Sequence, residues 1–350
     1  MHHYLTTSAR LITLNVLVTL SAIAVASQTE KQPTPEPGSI SPIVAQAQSL
    51  LSAGKIDAAI EALSKAGSND ASVSHLLGLA YYQKSDYARA IEHLSNALRQ
   101  MPNDGRQYRQ GTQALGLSHY LLGHLKEAIP YLEQVRNWSP DSVEIAYVLG
   151  ISYIQTHNTD KGREAFARMF RISPTSASAY LINAQMLIRQ QFEIIAEKEL
   201  QKALELDPKL PQANFLLGEL AIFRADIDRG IELMQKEIAI NPAFSMPYYR
   251  LGEAYTRQLK WDEAVAPLQK AIWLNPYFSG PYIVLGKVHF KKGDLLNAET
   301  VLRRALTMDP NNFSGHHLLG QVLRQANRLE EAKREFEIAD RLRTNSDNKR

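Results

Sequence analysis

The chain has 350 residues, of which 45% are hydrophobic, and its 39 Lys and Arg against 36 Asp and Glu give a formal net charge of +3. It contains no cysteine, which excludes disulfides, thiolate metal ligands and thiol nucleophiles. So small a charge over this length predicts no general attraction to nucleic acid or to anionic membranes.

The first predicted element, at residues 1–26, is an export signal. Residues 1–10 carry one arginine and no acid, and the apolar run that follows at 11–26 ends in Ala24-Val25-Ala26. Small residues at this spacing are typical of a signal peptidase site. The run is shorter than the ~20 residues that span a bilayer. We therefore expect cleavage after Ala26 and a periplasmic or secreted protein; a membrane anchor through the uncleaved segment is the alternative.

A spacer is predicted next, at residues 27–39. It contains three prolines and no aromatic or aliphatic side chain. Such a segment cannot bury enough apolar surface to offset the entropy of ordering it. We therefore expect it to be disordered.

From residue 40 onward the sequence repeats with a period of 34 residues. Three columns share one register: a proline column, a second column that we call the Gly column, and a third column of small residues. The prolines are Pro140, Pro174, Pro208, Pro242, Pro276 and Pro310. The Gly column is Gly78, Gly116, Gly150, Ala184, Gly218, Gly252, Gly286 and Gly320. The third column is Ala90, Ala128, Gly162, Ala196, Gly230, Ala264, Ala298 and Ala332.

These columns predict about nine repeats. The frame shortens by three residues between the first two units and lengthens by four around residues 105–108. The expected units are 40–70, 71–104, 109–142, 143–176, 177–210, 211–244, 245–278, 279–312 and 313–346, followed by a tail at 347–350.

Each unit is predicted to form two amphipathic helices. Tyr248, Leu251 and Tyr255 lie on one helical face of a first helix, and the residue before each column proline ends the second helix. The small columns are expected where neighbouring helices touch. No segment alternates with the period of two that strands require, so the predicted fold class is all-α.

This pattern resembles the tetratricopeptide repeat (TPR) family. The family's motif residues in one unit are Leu251, Gly252, Tyr255, Ala264, Leu268, Ala271 and Pro276. Two residues depart from the pattern: Asn183 replaces the leucine before the Gly column, and Glu237 stands where most units have alanine. The resemblance implies an α-solenoid, a right-handed superhelix of helix-turn-helix units whose first helices line a concave groove.

The groove face is predicted to be apolar in the N-terminal half and charged in the C-terminal part. Residues three before, one after and four after the Gly column share one face of a first helix. The candidate protein-binding residues are Leu79, Tyr82, Leu117, Tyr120, Tyr147, Ile151, Ile154, Phe215, Arg257, Lys287, Lys291 and Arg324. Tyrosines are favoured at interfaces, whereas packing between adjacent first helices is the alternative for the aliphatic residues. Three cations, Lys287, Lys291 and Arg324, are expected to bind acidic residues of a partner.

No catalytic, metal or cofactor motif accompanies the repeats. The histidines are scattered, and no HExxH, His-x3-His, GxGxxG, P-loop or GxSxG motif occurs. We therefore predict a non-enzymatic scaffold that binds a partner peptide or protein in an exported compartment, without nucleic acid and without stable membrane insertion after cleavage. The alternatives are a self-associating structural element, which would be a homo-oligomer, and an accessory subunit of an envelope enzyme, export or glycan system.

Overall fold

The computed structural model describes residues 42–66 and 70–347, and every regular element within them is an α-helix. The helices are α1 (Pro42–Ser52), α2 (Ile56–Ser64), α3 (Ala71–Gln83), α4 (Tyr87–Gln100), α5 (Arg106–Leu121), α6 (Leu125–Trp138), α7 (Val143–Gln155), α8 (Thr159–Met169), α9 (Ala177–Arg189), α10 (Glu193–Leu206), α11 (Ala213–Phe223), α12 (Ile227–Ile240), α13 (Ser245–Arg257), α14 (Trp261–Leu274), α15 (Ser279–Lys291), α16 (Leu295–Met308), α17 (Phe313–Gln325) and α18 (Leu329–Asp347). The predicted all-α class is confirmed. The predicted signal, the spacer and most of the predicted tail lie outside the described residues.

A recurring turn joins each odd-numbered helix, which we call a first helix, to the helix after it. One residue of each turn has a positive φ. These residues are Gly54, Ser85, Gly123, His157, Gln191, Ala225, Leu259, Gly293 and Asn327. From Gly123 to Asn327 they recur every 34 residues, and the two earlier intervals are shorter and longer by the three and four residues that the sequence frame predicts.

The residue after this turn begins the second helix, and in several units its side chain caps it. Asp86 accepts a hydrogen bond from the Arg89 amide at 3.2 Å, and Asp294 accepts one from the Asn297 amide at 3.2 Å. An Asp side chain at this position satisfies an amide that the helix itself leaves unpaired. The second helices therefore begin where local sequence chemistry sets them.

The Gly column lies where the two helices of a pair touch. A Cβ atom added to Gly252 would lie 2.5 Å from Leu268 Cγ, and one added to Gly286 would lie 2.6 Å from Leu302 Cγ. Gly150 has the same relation to the Phe166 ring, at 2.4 Å. The prediction that this column marks helix contacts is confirmed.

The chain divides into two compact units, unit 1 ending at Ala196 and unit 2 beginning at Glu197. Successive helices contact each other from α1 to α9 in unit 1 and from α11 to α18 in unit 2. First helices also contact the next first helix: α3 contacts α5 in unit 1, and α13 contacts α15 in unit 2. This is the stacking of an α-solenoid.

The burial of first helices varies from repeat to repeat within both units. In unit 1, nine of the 13 residues of α7 are buried but only five of the 13 of α9. In unit 2, seven of the 11 residues of α11 are buried but only five of the 13 of α15. The helices α13 and α15 are therefore the first helices of unit 2 with the smallest share of buried residues.

The two departures from the repeat pattern are accommodated by hydrogen bonds. Asn183 is buried and donates from Nδ2 to the Thr159 carbonyl at 3.4 Å. Glu237 is fully buried, and its carboxylate accepts from the Gln212 amide at 2.7 Å and from the Phe215 amide at 3.3 Å. The carboxylate of Glu237 thus caps α11, which starts after the left-handed Gln212.

Candidate functional site

Four of the predicted groove residues in unit 1 are buried. Leu79, Leu117, Ile151 and Ile154 are 9%, 8%, 4% and 1% exposed. Leu117 is part of a core cluster that draws residues from α5, α6, α7 and α8. The expectation that these four side chains line an open apolar groove is therefore corrected: the alternative, packing between helices, describes them.

The three tyrosines of unit 1 cover this core. Tyr82, Tyr120 and Tyr147 are partly buried, and all three pack against the cluster that contains Leu117. Loss of contact with water raises the pKa of Tyr82 and of Tyr120 to about 12. Both phenols are therefore neutral hydrogen-bonding groups at physiological pH, set into a mostly closed apolar face.

In unit 2, the same face begins with aromatic and ionic contacts. Phe215 is partly buried, and its ring meets that of Phe244 edge to face at 5.1 Å between centroids. Arg257 is exposed and donates from Nη1 to the Ile222 carbonyl at 3.4 Å.

An ion cluster joins α11 to α13. Arg250 contacts Glu219 through Nε at 2.9 Å and Glu253 through Nη1 at 2.6 Å. The three side chains are between 16% and 23% exposed, and burial raises the pKa of Glu219 in spite of the opposing charge of Arg250. Because these three charged side chains pair with one another, their charges are compensated within the protein at this part of the face.

The open part of the face is a cavity of about 280 Å³ between α15 and α17. We call it the α15/α17 cavity. Its lining is Ile283, Val284, Lys287, Phe313, Ser314, His317, Leu318 and Gln321. Most of the lining surface is apolar, and Gln321 donates from Nε2 to His317 Nε2 at 3.1 Å.

One of the predicted cations, Lys287, lines this cavity, and two others lie further along the same two helices. Lys287 lines it, Lys291 follows one turn later on α15, and Arg324 follows Gln321 on α17. All three are exposed, and none of them forms an ion pair within residues 42–66 and 70–347. Lys292, by contrast, is neutralised by Asp262.

Ile283, Val284, Phe313 and His317 are cavity residues that the sequence prediction missed. Ile283 and His317 stand three residues before the Gly column, the same position as Tyr147. The rule that selected Tyr147 would have found both. Phe313 is the first residue of α17, where the face periodicity gives no signal.

A second hollow in unit 2, of about 420 Å³, lies among α10, α11 and α12. Its one cation, Lys236, pairs with Glu232 at 2.6 Å. In the part of the chain that the structure describes, no three potential metal ligands come together, and no helix is both long and apolar enough to cross a membrane.

Models of protein families match most of the chain. Three family models, each described as "Tetratricopeptide repeat", match residues 44–105 and 283–346, residues 120–186, and residues 248–276. Together, the matched residues make up more than half of the chain.

The matches to curated relatives cover only part of this chain and an even smaller share of each relative's own length. Protein CTR9 homolog of Arabidopsis thaliana is 30% identical over 189 residues, which is 51% of this chain and 17% of that protein. BBSome complex member BBS4 of Bos taurus is 29% identical over 144 residues, 40% of this chain and 27% of that protein. The solved structure of YrrB, described as a TPR protein with an unusual peptide-binding site, is 20% identical with a TM-score of 0.46, and the match covers 51% of this chain and 93% of YrrB.

Proposed function

This chain belongs to the tetratricopeptide repeat family, and we propose that it is a non-catalytic scaffold that binds a segment of a partner protein on the first helices of unit 2. One observation carries the proposal: the α15/α17 cavity combines a mostly apolar lining with Lys287, an exposed cation that has no ion-pair partner among the described residues. An apolar hollow beside unpaired charge is a recognition surface, because it offers both buried area and specificity.

The proposal places the chain in an exported compartment. The support is the sequence of residues 11–26, an apolar run that ends in Ala24-Val25-Ala26. The absence of cysteine is compatible with an oxidising environment.

Self-association is the second candidate function. Trp273 and Tyr277, at and just beyond the end of α14, are 71% and 81% exposed. Exposed aromatic side chains are favoured at interfaces, and a second copy of the chain would cover them. Sedimentation velocity over a range of concentrations tests this: a strict monomer at high concentration rules it out.

Affinity capture from a cross-linked extract of the native host, read by mass spectrometry, tests the scaffold. The wild-type chain and a Lys287→Glu/Lys291→Glu variant serve as parallel baits. Lys333→Glu/Arg334→Glu is the matched control, because it makes the same charge change on exposed residues of α18. We expect a partner that the wild type and the control retain and that the cavity variant loses. Equal recovery by all three baits would move the site away from α15 and α17.

A further inference from the structure

We propose that two copies of this chain associate by exchanging Tyr277, whose aromatic ring enters the second hollow of unit 2 in the other copy. We call this hollow the α10/α12 hollow, and its lining is Leu204, Pro208, Asn214, Lys236, Ala239 and Ile240. The inference rests on self-association, the second candidate function, and deepens it by naming the surface through which the copies meet. That surface lies at the ends of second helices, apart from the first-helix face of the scaffold proposal.

In the next two repeats, a tyrosine occupies the position equivalent to Asn214. Tyr248 and Tyr282 lie 34 and 68 residues after Asn214. The Tyr248 hydroxyl donates to the Pro242 carbonyl at 3.3 Å, and the Tyr282 hydroxyl donates to the Pro276 carbonyl at 3.2 Å. A phenol bound to the carbonyl of the column proline is therefore a recurring contact between neighbouring repeats of unit 2.

The α10/α12 hollow lies where shorter side chains replace aromatic ones. Asn214 is 4% exposed, and among the described residues it forms no hydrogen bond to Pro208, the column proline six residues before it. Ala239 stands where the next repeat has Trp273. Both residues are smaller than their equivalents in the next repeat. The group that suits this hollow is therefore an aromatic side chain that carries a hydrogen-bond donor.

The size and lining of the hollow suit one aromatic ring. Its volume of about 420 Å³ equals that of about 14 waters in the liquid. Four of its six lining residues have apolar side chains, among them Leu204 and Ile240. A ring that enters removes apolar surface from water on both molecules, which favours association.

The cations at the hollow favour a neutral occupant over an acidic one. Lys236 pairs with Glu232 at 2.6 Å, and Lys202, at the equivalent position of the preceding repeat, pairs with Glu205 at 2.8 Å. An entering carboxylate competes with these acids for the lysines. A phenol brings a donor without a charge, so it binds without displacing Glu232.

The chain itself carries exposed aromatic donors on its surface. Tyr277 follows Pro276 in the loop after α14 and is 81% exposed. Trp273, at the end of α14, is 71% exposed, and Lys270 Nζ lies 3.8 Å from the centroid of its ring. Tyr277 has the side chain that binds the proline carbonyl in the two following repeats. We therefore assign Tyr277 to the hollow and Trp273 to the surface beside it.

The hollow and Tyr277 belong to the same edge of unit 2, one repeat apart. Ala239 of the hollow and Trp273 occupy equivalent positions near the ends of α12 and α14. Leu206, 49% exposed at the end of α10, extends this apolar edge. Because the two features lie on one surface, a single two-fold axis pairs Tyr277 of each copy with the hollow of the other. Such an interface closes at a dimer.

Sedimentation velocity of the purified full chain over a wide range of concentrations tests the association, and we expect a monomer–dimer equilibrium. Asn214→Tyr/Ala239→Trp, the filled variant, gives the hollow the residues of the next repeat. It should raise the dissociation constant of the dimer by about tenfold or more. Ala239→Trp alone changes an exposed residue, so circular dichroism should show an intact fold, and it should weaken the dimer in the same direction.

Variants of Tyr277 separate the ring from the hydroxyl. Tyr277→Ala should weaken the dimer by about tenfold or more. Tyr277→Phe keeps the ring and loses the donor, so it should weaken the dimer by a factor of about two to ten. Phe223→Ala is the matched control, because it removes an aromatic side chain that is 55% exposed at the end of a first helix, away from this edge. It should dimerise like the wild type.

A mixture of two defective variants gives the sharpest test. The Tyr277→Ala chain keeps the hollow, and the filled variant keeps Tyr277. Native mass spectrometry of the mixture should show heterodimers at a concentration at which each variant alone is a monomer. The heterodimer should be weaker than the wild-type dimer, because only one of its two exchanges is intact.

Four results would overturn the proposal: a wild type that stays monomeric, a dimer unchanged in the filled and Tyr277→Ala variants, a mixture without heterodimers, or growth beyond the dimer. A monomeric wild type also removes self-association as a function. A dimer that persists equally in every variant leaves self-association standing and shows that the exchange of Tyr277 is wrong. The scaffold proposal is tested separately, by capture with the Lys287→Glu/Lys291→Glu variant.

Discussion

Unit 1 and unit 2 are built from the same helix pairs, yet they differ at the residue that follows the Gly column. In three repeats of unit 1 this residue is aliphatic and buried, at Leu79, Leu117 and Ile151. In unit 2 it is charged at Glu253, which pairs with Arg250, and at Lys287, which is exposed. The repeat motif fixes how two helices of a pair pack, whereas this further residue differs between repeats with a buried first-helix face and the exposed face at Lys287.

Exchanging the residue types at this position gives the largest expected effect. Ile151→Lys places a charge where the native side chain is 4% exposed, and we expect unit 1 to lose about 3–5 kcal/mol of unfolding free energy. The reciprocal change, Lys287→Ile, touches an exposed side chain and should alter stability by no more than about 0.5 kcal/mol.

Urea unfolding followed by circular dichroism measures both variants, and hydrogen exchange with mass spectrometry assigns the loss to unit 1 or unit 2. Equal and small effects at the two positions would mean that Ile151 does not hold unit 1 closed. The difference between the two units would then have to come from their backbone geometry.

A second expected effect lies at Glu237 of unit 2, whose carboxylate caps α11. Glu237→Ala restores the residue that most units have, but it leaves the Gln212 and Phe215 amides without their carboxylate. Because a buried donor without a partner is costly, we expect a loss of about 1–3 kcal/mol in the free energy of unfolding. Glu237→Gln keeps one acceptor oxygen and should lose less. A stabilised Glu237→Ala protein by urea unfolding would contradict the capping role.

The two units should also respond oppositely to acid. In unit 1, burial lowers the pKa of His75 below its usual 6.5, so the folded state resists protonation. The stability from neutral His75 is therefore fully present above pH 6.5 and falls as the pH drops through that value. In unit 2, burial raises the pKa of Glu219 above 4.5, so the folded state holds its proton more tightly, and stability falls as the pH rises from 4.5.

The measurement is urea unfolding at several pH values between 4 and 7, compared with His75→Phe and Glu219→Gln. His75→Phe should flatten the acid-side loss of unit 1 below pH 6.5. Glu219→Gln should remove the loss that accompanies rising pH in unit 2. Parallel pH profiles for the wild type and His75→Phe would show that His75 carries no proton linkage.

Structural features that recur in every repeat can be predicted from the sequence. Features that depend on contacts between neighbouring repeats cannot. Gly252 against Leu268 follows from the register of two columns, and the structure confirms it. The periodicity also places Ile154 on the predicted face, but it does not tell whether neighbouring helices close over that face, and they do. Arg250 and Glu219 lie 31 residues apart, and no local sequence pattern predicts their ion pair.

The residues of the candidate site also divide into those that the sequence pattern indicates and those that only the tertiary structure reveals. Lys287 was found from its position after the Gly column, since a charge there breaks the apolar pattern of the earlier units. The apolar lining residues of the α15/α17 cavity, among them Val284 and Leu318, look like ordinary core positions in the sequence. Their exposure to a cavity depends on the gap between α15 and α17, which is a tertiary property.

The smallest expected effect tests the turns that both units share. Leu259 occupies the left-handed position with φ 60° and is 68% exposed, whereas Gly293 occupies the equivalent position in the next turn. A side chain with a Cβ costs roughly 1–2 kcal/mol in this conformation, because the Cβ approaches the following carbonyl oxygen. Leu259→Gly should therefore stabilise unit 2 by about 1 kcal/mol, and Gly293→Ala, with no atom within 4 Å of the new Cβ, should destabilise it by a similar amount. Midpoints of urea unfolding measure both changes. If Leu259→Gly lowers the midpoint, the exposed leucine contributes packing that outweighs its backbone strain, and the turn of this repeat is held by more than its backbone.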